Sequence, residues 1–303
     1  PAMPAGFAVG LARVPSAVTA NTGILANPTT PTAPFKEPAM AMDCLVCNGR
    51  SESFARATIL ARHEIEYFRC CDCEFIQTET PYWLDEAYDS AIVSTDVGLV
   101  GRNEKFAKIV DRTLRLVLPG VQSSVDYGGG YGMFTRMMRD RGHYFSHFDP
   151  YCENLFARGY EVQSGSKQFD LLTAFEVFEH MADPHKDLKT IDALEANWFI
   201  STRIVPDPAP QPDQWWYYVL EGGQHIALWS LRALQSIASQ YKRKLTVTRR
   251  GMHLFSQEKI SPLLIRTVVR NRSIRLFDSY RKRKSLLEAD AQRAIELTKR
   301  NAA

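Results

Sequence analysis

The sequence predicts an α/β protein built around a mostly parallel sheet of seven strands, with helices on both faces. Short apolar runs alternate along the middle of the chain with segments whose apolar residues recur at helical spacing, and this alternation is typical of parallel sheets. Phe169–Phe175 is a largely apolar run, as expected of a strand buried on both faces. Two further runs flank Arg250-Gly251-Met252 and predict a closing hairpin that adds an antiparallel strand.

Composition divides the chain into five segments. The first is rich in Pro, Ala and Thr and predicts a disordered leader. A cysteine-rich module, a connector, the α/β domain and a basic C-terminal tail of helices follow it. The predicted segments are 1–42 (leader), 43–80 (cysteine-rich module), 81–103 (connector), 104–260 (α/β domain) and 261–303 (tail).

Periodicity and turn residues assign the elements of the α/β domain in order. Pro119-Gly120 ends the first helix, because proline cannot continue a helix and glycine favours its end. The predicted elements are a helix at Glu104–Leu118, a strand at Ser124–Tyr127, a helix to about Arg141, strands at His143–Phe148 and Phe169–Phe175, a helix at Pro184–Leu194, a strand at Trp198–Thr202, a helix at Ser230–Tyr241 and hairpin strands at Lys244–Arg249 and His253–Ile260. Only nineteen residues lie between Asp149 and Phe169, so the third strand is compressed, with Gln163–Ser166 as its candidate.

Composition and charge narrow the function classes. The chain has 303 residues and a net charge of +3, a weaker basic excess than a nucleic-acid-binding protein usually carries. We interpret the basic runs of the tail as a solvated helix face. No apolar run is long enough to span a bilayer. Five of the six cysteines lie between Cys44 and Cys73, a pattern that favours a metal site in a reducing compartment such as the cytoplasm.

The cysteines form two pairs with metal-ligand spacing. Cys44-x2-Cys47 is followed after twenty-two residues by Cys70-x2-Cys73, and two such pairs can supply four thiolates to one tetrahedral zinc. Cys71 is a spare that could take the place of Cys70. Four thiolates leave no open coordination position, so this zinc would be structural.

A glycine-rich turn follows the first strand of the sheet. It reads Asp126-Tyr-Gly128-Gly-Gly130-Tyr-Gly132. Glycines permit a sharp turn and a close ligand approach, and the helix that follows offers free N–H donors. The dinucleotide pattern would need glycine at 133, where this chain has Met133, so the turn does not predict a nicotinamide or flavin site.

This turn looks like motif I of class I S-adenosylmethionine-dependent methyltransferases, which have a Rossmann-like fold. The resemblance covers about residues 100 to 260, and residues 169–184 are similar to the family's fourth-strand motif. It implies that Asp149 binds the ribose hydroxyls of the cofactor, because a carboxylate accepts two hydrogen bonds in a fork, and that Glu176 lies at the cofactor edge. The residues implied to hold the methionine part of S-adenosylmethionine are Asp126, Gly128, Gly130 and Gly132.

The order of zinc module and α/β domain resembles methyltransferases of sugar and polysaccharide biosynthesis. Residues 221–230 are similar to the histidine-bearing segment of those enzymes, although relatives acting on sugar nucleotides often carry glutamate where this chain has Gln224. The resemblance implies a small sugar-like or glycan-linked acceptor, for example a sugar nucleotide. It also implies that His225 is the base. His180, after the strand at Phe169–Phe175, is the other candidate, and we assign positioning roles to His180 and Glu221. The alternative is that His225 only packs against or caps the next helix.

The loop between the fifth strand and the next helix is rich in aromatic residues. Ligands of open α/β sheets bind beyond the carboxyl ends of the strands, so Tyr217, Tyr218 or Trp229 could contact the acceptor. Packing of these rings in the core is the alternative.

Two other function classes remain open at this stage. An RNA methyltransferase could hold nucleic acid with the zinc module and the basic tail. A non-catalytic scaffold could bind the cofactor without turnover, but it would have no need of the intact glycine turn and Asp149. The modest basic excess disfavours the RNA hypothesis.

Overall fold

The computed structural model describes residues 41–88, 97–163, 168–194, 196–248, 250–270, 280 and 282–293. Most of the predicted leader, residues 1–40, lies outside the described residues, and residues 41 and 42 already belong to a strand. In chain order, the strands are β1 (Ala41–Asp43), β2 (Arg50–Ile59), β3 (His63–Cys70), β4 (Ile76–Thr78), β5 (Ser124–Tyr127), β6 (Phe145–Phe148), β7 (Leu171–Phe175), β8 (Asn197–Ser201), β9 (Ala227–Leu228), β10 (Lys244–Thr246) and β11 (Met252–Ser256). The helices are α1 (Leu84–Ala87), α2 (Leu99–Leu116), α3 (Met133–Asp140), α4 (Pro184–Asp192), α5 (Leu231–Gln240) and α6 (Pro262–Arg270).

The main sheet contains six strands in the order β10-β11-β8-β7-β5-β6. The four strands from β6 to β8 in that order run parallel, and β11 and β10 close the sheet antiparallel to them. The predicted alternation of strands and helices is therefore confirmed, as is the closing hairpin. All four residues of β5 are buried, which fits a strand covered by helices on both faces.

The prediction of seven strands is wrong for the residues that the structure describes. No third strand lies between β6 and β7 in the described part of that segment, where only an isolated bridge joins His147 to Glu161. Residues 164–167, which include most of the Gln163–Ser166 candidate, lie outside the described residues. The short connection is the physical reason, because a strand, a crossover helix and two loops need more residues than it provides.

The cysteine module forms a second, antiparallel sheet in the order β1-β2-β3-β4-β9. Its last strand, β9, comes from the segment between β8 and α5 of the main domain, and Gln77 of β4 pairs with Ala227 of β9. The module is therefore joined to the main domain by a strand that begins two residues after His225.

One core is shared by the module and the main sheet. Cys44, Cys70 and Phe75 of the module are buried together with Leu172 and Trp229 of the main domain. The Phe75 and Trp229 rings lie 4.9 Å apart. The described residues from Ala41 onward accordingly cluster as one compact unit, so the module is packed as part of the fold.

Helix α2 begins earlier than the sequence predicts, at Leu99 rather than Glu104. Its inward face contains Phe106, Val110 and Leu114 and packs in a second core with α3 and α6. None of the helices within the described ranges is long and apolar enough to cross a membrane.

The described part of the tail packs against the main domain. The buried guanidinium of Arg139 pairs with Asp290 at 2.7 Å, and the Tyr160 hydroxyl donates to the same carboxylate at 2.7 Å. Arg283 donates to the carbonyl of Val121. The guanidinium of Arg283, in one of the basic runs, thus satisfies a backbone acceptor of the domain.

Candidate functional site

The glycine turn follows β5 and leads directly into α3. Gly128, Gly130 and Gly132 have φ of 66°, 56° and 83°, a left-handed conformation that glycine adopts without steric cost. A Cβ on Gly132 would meet the Asn154 side chain at 2.3 Å, whereas a Cβ on Gly130 would meet no atom within 4 Å. Gly130 therefore faces the open space where a ligand can approach the backbone.

Asp126 lies beneath this turn, where it is almost fully buried. Its carboxylate accepts hydrogen bonds from Thr173 at 2.8 Å and from Thr135 at 3.3 Å. Burial raises the pKa of Asp126 to about 7, although the hydrogen bond from Thr173 opposes the shift. Of the residues predicted to hold the cofactor, Asp126 is thus the one that supports the turn from below.

Asp149 connects the end of β6 to the glycine turn. Its Oδ2 accepts the N–H of Gly130 at 2.8 Å, and its Oδ1 accepts the N–H groups of Tyr151 and Cys152 at 2.8 and 2.9 Å. A carboxylate has about four acceptor positions, so three are used by the backbone. The structure thus brings Asp149 to the turn and shows that it also holds the loop.

Glu176 follows β7 at a strained position, with φ of 55°. Its Oε1 accepts the Ser201 hydroxyl at 2.5 Å, and its Oε2 lies 3.8 Å from the Arg102 guanidinium. These contacts fix Glu176 between the ends of β7 and β8, at the same edge as the glycine turn. Left-handed strain at a residue other than glycine is a feature that clusters at functional sites.

His180 and His225 lie together although they are far apart in sequence. His180 ends a 3-10 turn at Phe178–His180, and its ring lies 4.9 Å from that of His225 in an edge-to-face arrangement. The Tyr88 hydroxyl lies 3.0 Å from Nδ1 of His180. Both histidines are only partly buried, so a ligand can reach them.

The protonation of His225 follows from its hydrogen bond. Its Nδ1 lies 2.7 Å from the carbonyl oxygen of Tyr217, and since a carbonyl only accepts, Nδ1 carries the proton and Nε2 keeps a lone pair. Desolvation is the largest cause that lowers the pKa of His225 to about 4, and it lowers that of His180 to about 3, with a further contribution from His225. Both rings are therefore neutral near pH 7.

Among the other predicted site residues, Tyr217 contacts His225. Glu221 is exposed on a turn and makes no side-chain hydrogen bond or ion pair with the residues that the structure describes. Tyr218 and Trp229 are 1% and 0% exposed, so the core-packing alternative holds for them. Trp216, in contrast, is 68% exposed.

For three residues at the histidine pair, the sequence predicts no specific role. Tyr88 contacts His180, Arg102 pairs with Glu176, and Glu179 is buried beside both histidines. Their contacts cross between segments distant in sequence, so no local pattern predicts them.

The four cysteines of the two pairs form a cluster with the geometry of a metal site. The Sγ atoms of Cys44, Cys47, Cys70 and Cys73 all lie within 4.8 Å of one another, and two of the separations are 3.5 Å. A tetrahedral zinc with Zn–S bonds of about 2.3 Å needs sulfur atoms roughly 3.8 Å apart, so the donor set fits this ion. Cys71 is exposed and lies outside the cluster.

Residues 101–242, just under half of the chain, match a family model described as a methyltransferase domain. No curated protein sequence matches the chain. The match begins in α2 and ends just after α5, and so it contains the glycine turn, Asp149 and both histidines.

Several solved structures are similar to the chain at low identity. TnmH is 18% identical, with 58% of this chain and 60% of that chain covered and a TM-score of 0.38. Human N-acetylserotonin methyltransferase in complex with SAM is 13% identical, with 58% and 66% covered and a TM-score of 0.37. The 1,6-didemethyltoxoflavin-N1-methyltransferase of Burkholderia thailandensis is 16% identical, with 67% and 96% covered and a TM-score of 0.41. The aligned regions thus span less than two thirds of the first two proteins, and no acceptor or residue role is transferred.

The family match and the residues at the edge of the sheet lead to one conclusion. The matched segment folds as a parallel sheet with a left-handed glycine turn at the carboxyl end of its central strand, and a carboxylate at the end of the next strand is hydrogen-bonded to that turn. Residues 101–242 match a methyltransferase domain, and all of these features lie within the matched segment.

Proposed function

We propose that this protein is an S-adenosylmethionine-dependent methyltransferase that methylates a small sugar-like or glycan-linked acceptor, for example a sugar nucleotide. The observation that carries the proposal is that the glycine turn after β5 and the histidine pair after β7 and β8 lie at the same edge of the main sheet. That edge is where open α/β sheets bind their ligands. The acceptor class itself is supported by the resemblance of residues 221–230 and of the module order to sugar methyltransferases.

For the cofactor, we propose contacts along Gly128, Gly130 and Gly132, with the ribose on Asp149 and Glu176 at the edge of the site. S-adenosylmethionine supplies a methyl group on a sulfonium, which needs no further activation. The open space at Gly130 supports a close approach to the backbone. Asp126 would act from beneath the turn by fixing its conformation.

For the reaction, we propose His225 as the base and His180 and Glu221 as positioning residues. A hydroxyl or a carbon acid must lose its proton when it accepts a methyl group, and a neutral imidazole can take that proton. The bond between Nδ1 of His225 and the Tyr217 carbonyl supports Nε2 as the accepting atom. Glu221 is exposed, so it would touch only an outer part of the acceptor.

For the cysteine cluster, we propose one structural zinc on Cys44, Cys47, Cys70 and Cys73. Its contribution would be to the fold, because four sulfur ligands leave no position for a substrate. The 3.5 Å contacts between thiols support the proposal, since sulfur atoms this close are spaced much as a tetrahedral zinc site requires.

Mass spectrometry of acceptors incubated with the protein and S-adenosylmethionine tests the proposal. A panel of sugar nucleotides should yield a product heavier by one methyl group, and His225→Gln should lower its rate. A methylated RNA, with every sugar nucleotide unchanged, would contradict the acceptor class and favour the RNA alternative.

A further inference from the structure

Glu179 is a fully buried carboxyl group that lies between β7 and the loop carrying His225. Its Oε1 accepts the Tyr217 hydroxyl at 2.6 Å, and its backbone carbonyl accepts the N–H of Ile226 at 3.0 Å. Tyr217 in turn provides the carbonyl that accepts from Nδ1 of His225, and its ring packs edge-to-face on the His225 ring at 4.7 Å. Glu179 therefore fixes the chain on both sides of His225.

The second oxygen of Glu179 has a different environment. Oε2 is buried and has no hydrogen-bond partner among the residues that the structure describes. A carboxyl oxygen of Glu179 and one ring nitrogen each of His180 and His225 lie within 4.8 Å of one another. A buried polar atom without a partner costs free energy, and this one lies beside the imidazole that is proposed to take up a proton.

We propose that Glu179 is the positioning residue of His225, which holds its loop and supplies the negative charge that stabilises its protonated ring. This inference rests on the proposed role of His225 as base. In the reaction, the acceptor's bond to hydrogen breaks and the proton moves to Nε2 of His225. The acceptor then takes the methyl group, and the sulfur keeps the electron pair of the broken carbon–sulfur bond. Glu179 exchanges no atoms, and its charge favours the imidazolium through a medium of low dielectric.

The charges around Glu179 determine when it is ionised. Burial and the negative charge of Glu176 raise the pKa of Glu179 to about 8, although hydrogen bonds from Tyr217 and Thr202 oppose the shift. The titratable groups that face it are Glu176, Tyr217, Tyr88 and the two histidines. The positive charge of Arg102 acts on both histidines. As the pH rises through about 8, the site gains the carboxylate that a protonated His225 needs.

Nuclear magnetic resonance of protein with ¹³C-labelled histidine rings tests this without any acceptor. The chain has seven histidines, and His225→Gln and His180→Gln identify the two signals of the pair. We expect the His225 signal of the wild type to show a step near pH 8 that reports ionisation of Glu179. Glu179→Gln should abolish this step, since the amide still accepts from Tyr217 but cannot ionise. Glu258→Gln, the same change at an exposed site, should keep it.

A second variant keeps the test decisive if Glu179→Gln does not fold. Tyr217→Phe removes only the hydroxyl and leaves the backbone carbonyl that binds His225. Loss of a hydrogen bond to the carboxylate raises its pKa further, so the step should move to higher pH. A step that persists in Glu179→Gln or stays in place in Tyr217→Phe would overturn the proposal. A second metal equivalent besides zinc, lost in Glu179→Gln, would also overturn it, since Glu179 would then be a metal ligand.

The two proposals fail in different ways. If sugar nucleotides are methylated but the step near pH 8 is absent, only the role of Glu179 is wrong. If the step is present and His225→Gln retains the full methylation rate, the role of Glu179 as charge partner stands and the base assignment is wrong.

Discussion

The two sides of the site are built in different ways. The glycine side consists of neighbouring residues, in which one strand, one turn and one helix span 124–140 and only Asp149 comes from the next strand. The histidine side combines Tyr88, Glu179, His180, Tyr217 and His225 from the connector, the β7 end and the loop after β8. The glycine side is thus a local structure, whereas the histidine side depends on tertiary contacts.

The histidine side depends on contacts with the cysteine module and the connector. Ala227 and Leu228 follow His225 closely and form a strand with β4 of the module. The Trp83 side chain donates to the carbonyl of Gly223 at 2.8 Å, and Gln224 donates to that of Ala87 at 2.6 Å. The module and the connector therefore position the loop that carries His225. A perturbation of the module should affect the histidine side before the glycine side.

Loss of the metal should have the largest effect. We expect the purified protein to contain about one equivalent of zinc, and Cys73→Ser to lose it and to unfold the module. Structural zinc contributes about 10–16 kcal/mol to small zinc-binding peptides at neutral pH, which exceeds the stability of most domains. Metal analysis and thermal unfolding measure both outcomes.

Cys71→Ser is the matched control, since Cys71 is exposed and next to a proposed ligand. It should retain the zinc and the stability of the wild type. Protein purified with care and free of zinc, or a Cys73→Ser variant with a full equivalent, would contradict the four-cysteine site.

Blocking the glycine side should abolish cofactor binding and leave the fold intact. In Gly130→Leu the new side chain projects into open space, where we expect the cofactor to lie. The left-handed φ adds a strain of about 1 kcal/mol, too little to unfold most domains. Calorimetry should detect no binding of S-adenosylmethionine, while Gly120→Leu, at a turn with equally open space, should bind normally. Normal binding by Gly130→Leu would place the cofactor elsewhere.

Removing the proposed base should lower the rate of methyl transfer and leave the affinity for the cofactor unchanged. His225→Gln keeps a polar side chain of similar size and should lower the maximal rate by roughly 10²-fold or more. The pKa of His225 is lowered to about 4, so the ring is neutral at any higher pH and protonation of His225 itself should not limit the rate near neutrality. Rate measurements on an identified acceptor between about pH 6 and 9 check this. If His180→Gln loses the rate instead, the two roles must be exchanged.

The contrast between local structure and tertiary contacts also determines how much of the fold and of the site the sequence predicts. The glycine turn, the paired cysteines and the alternation of strands and helices are local patterns, and the structure contains each of them. The seventh strand was wrong because a family's usual layout does not reveal how a short connection folds. The contacts of Tyr88 with His180 and of Glu179 with Tyr217 could not be predicted, because they join residues 92 and 38 positions apart.

The smallest expected effect concerns Asp149, where the glycine side is least local. Asp149→Ala removes a charged acceptor, so we expect weaker binding of S-adenosylmethionine by about 1.5–3 kcal/mol, or roughly 10- to 100-fold. Calorimetry measures this, with the exposed Asp213→Ala as control. Unchanged affinity in Asp149→Ala would refute the ribose assignment.

A reduced affinity alone does not identify the ribose, because Asp149 also accepts the N–H groups of Gly130, Tyr151 and Cys152. Its loss could weaken binding by loosening the turn. An analogue of the cofactor that lacks both ribose hydroxyls separates these causes. If Asp149 binds the hydroxyls, the analogue should bind the wild type and Asp149→Ala almost equally, since the interaction energy of a cycle vanishes when one partner is already missing. If Asp149 acts only through the turn, Asp149→Ala should weaken the binding of S-adenosylmethionine and of the analogue by the same factor.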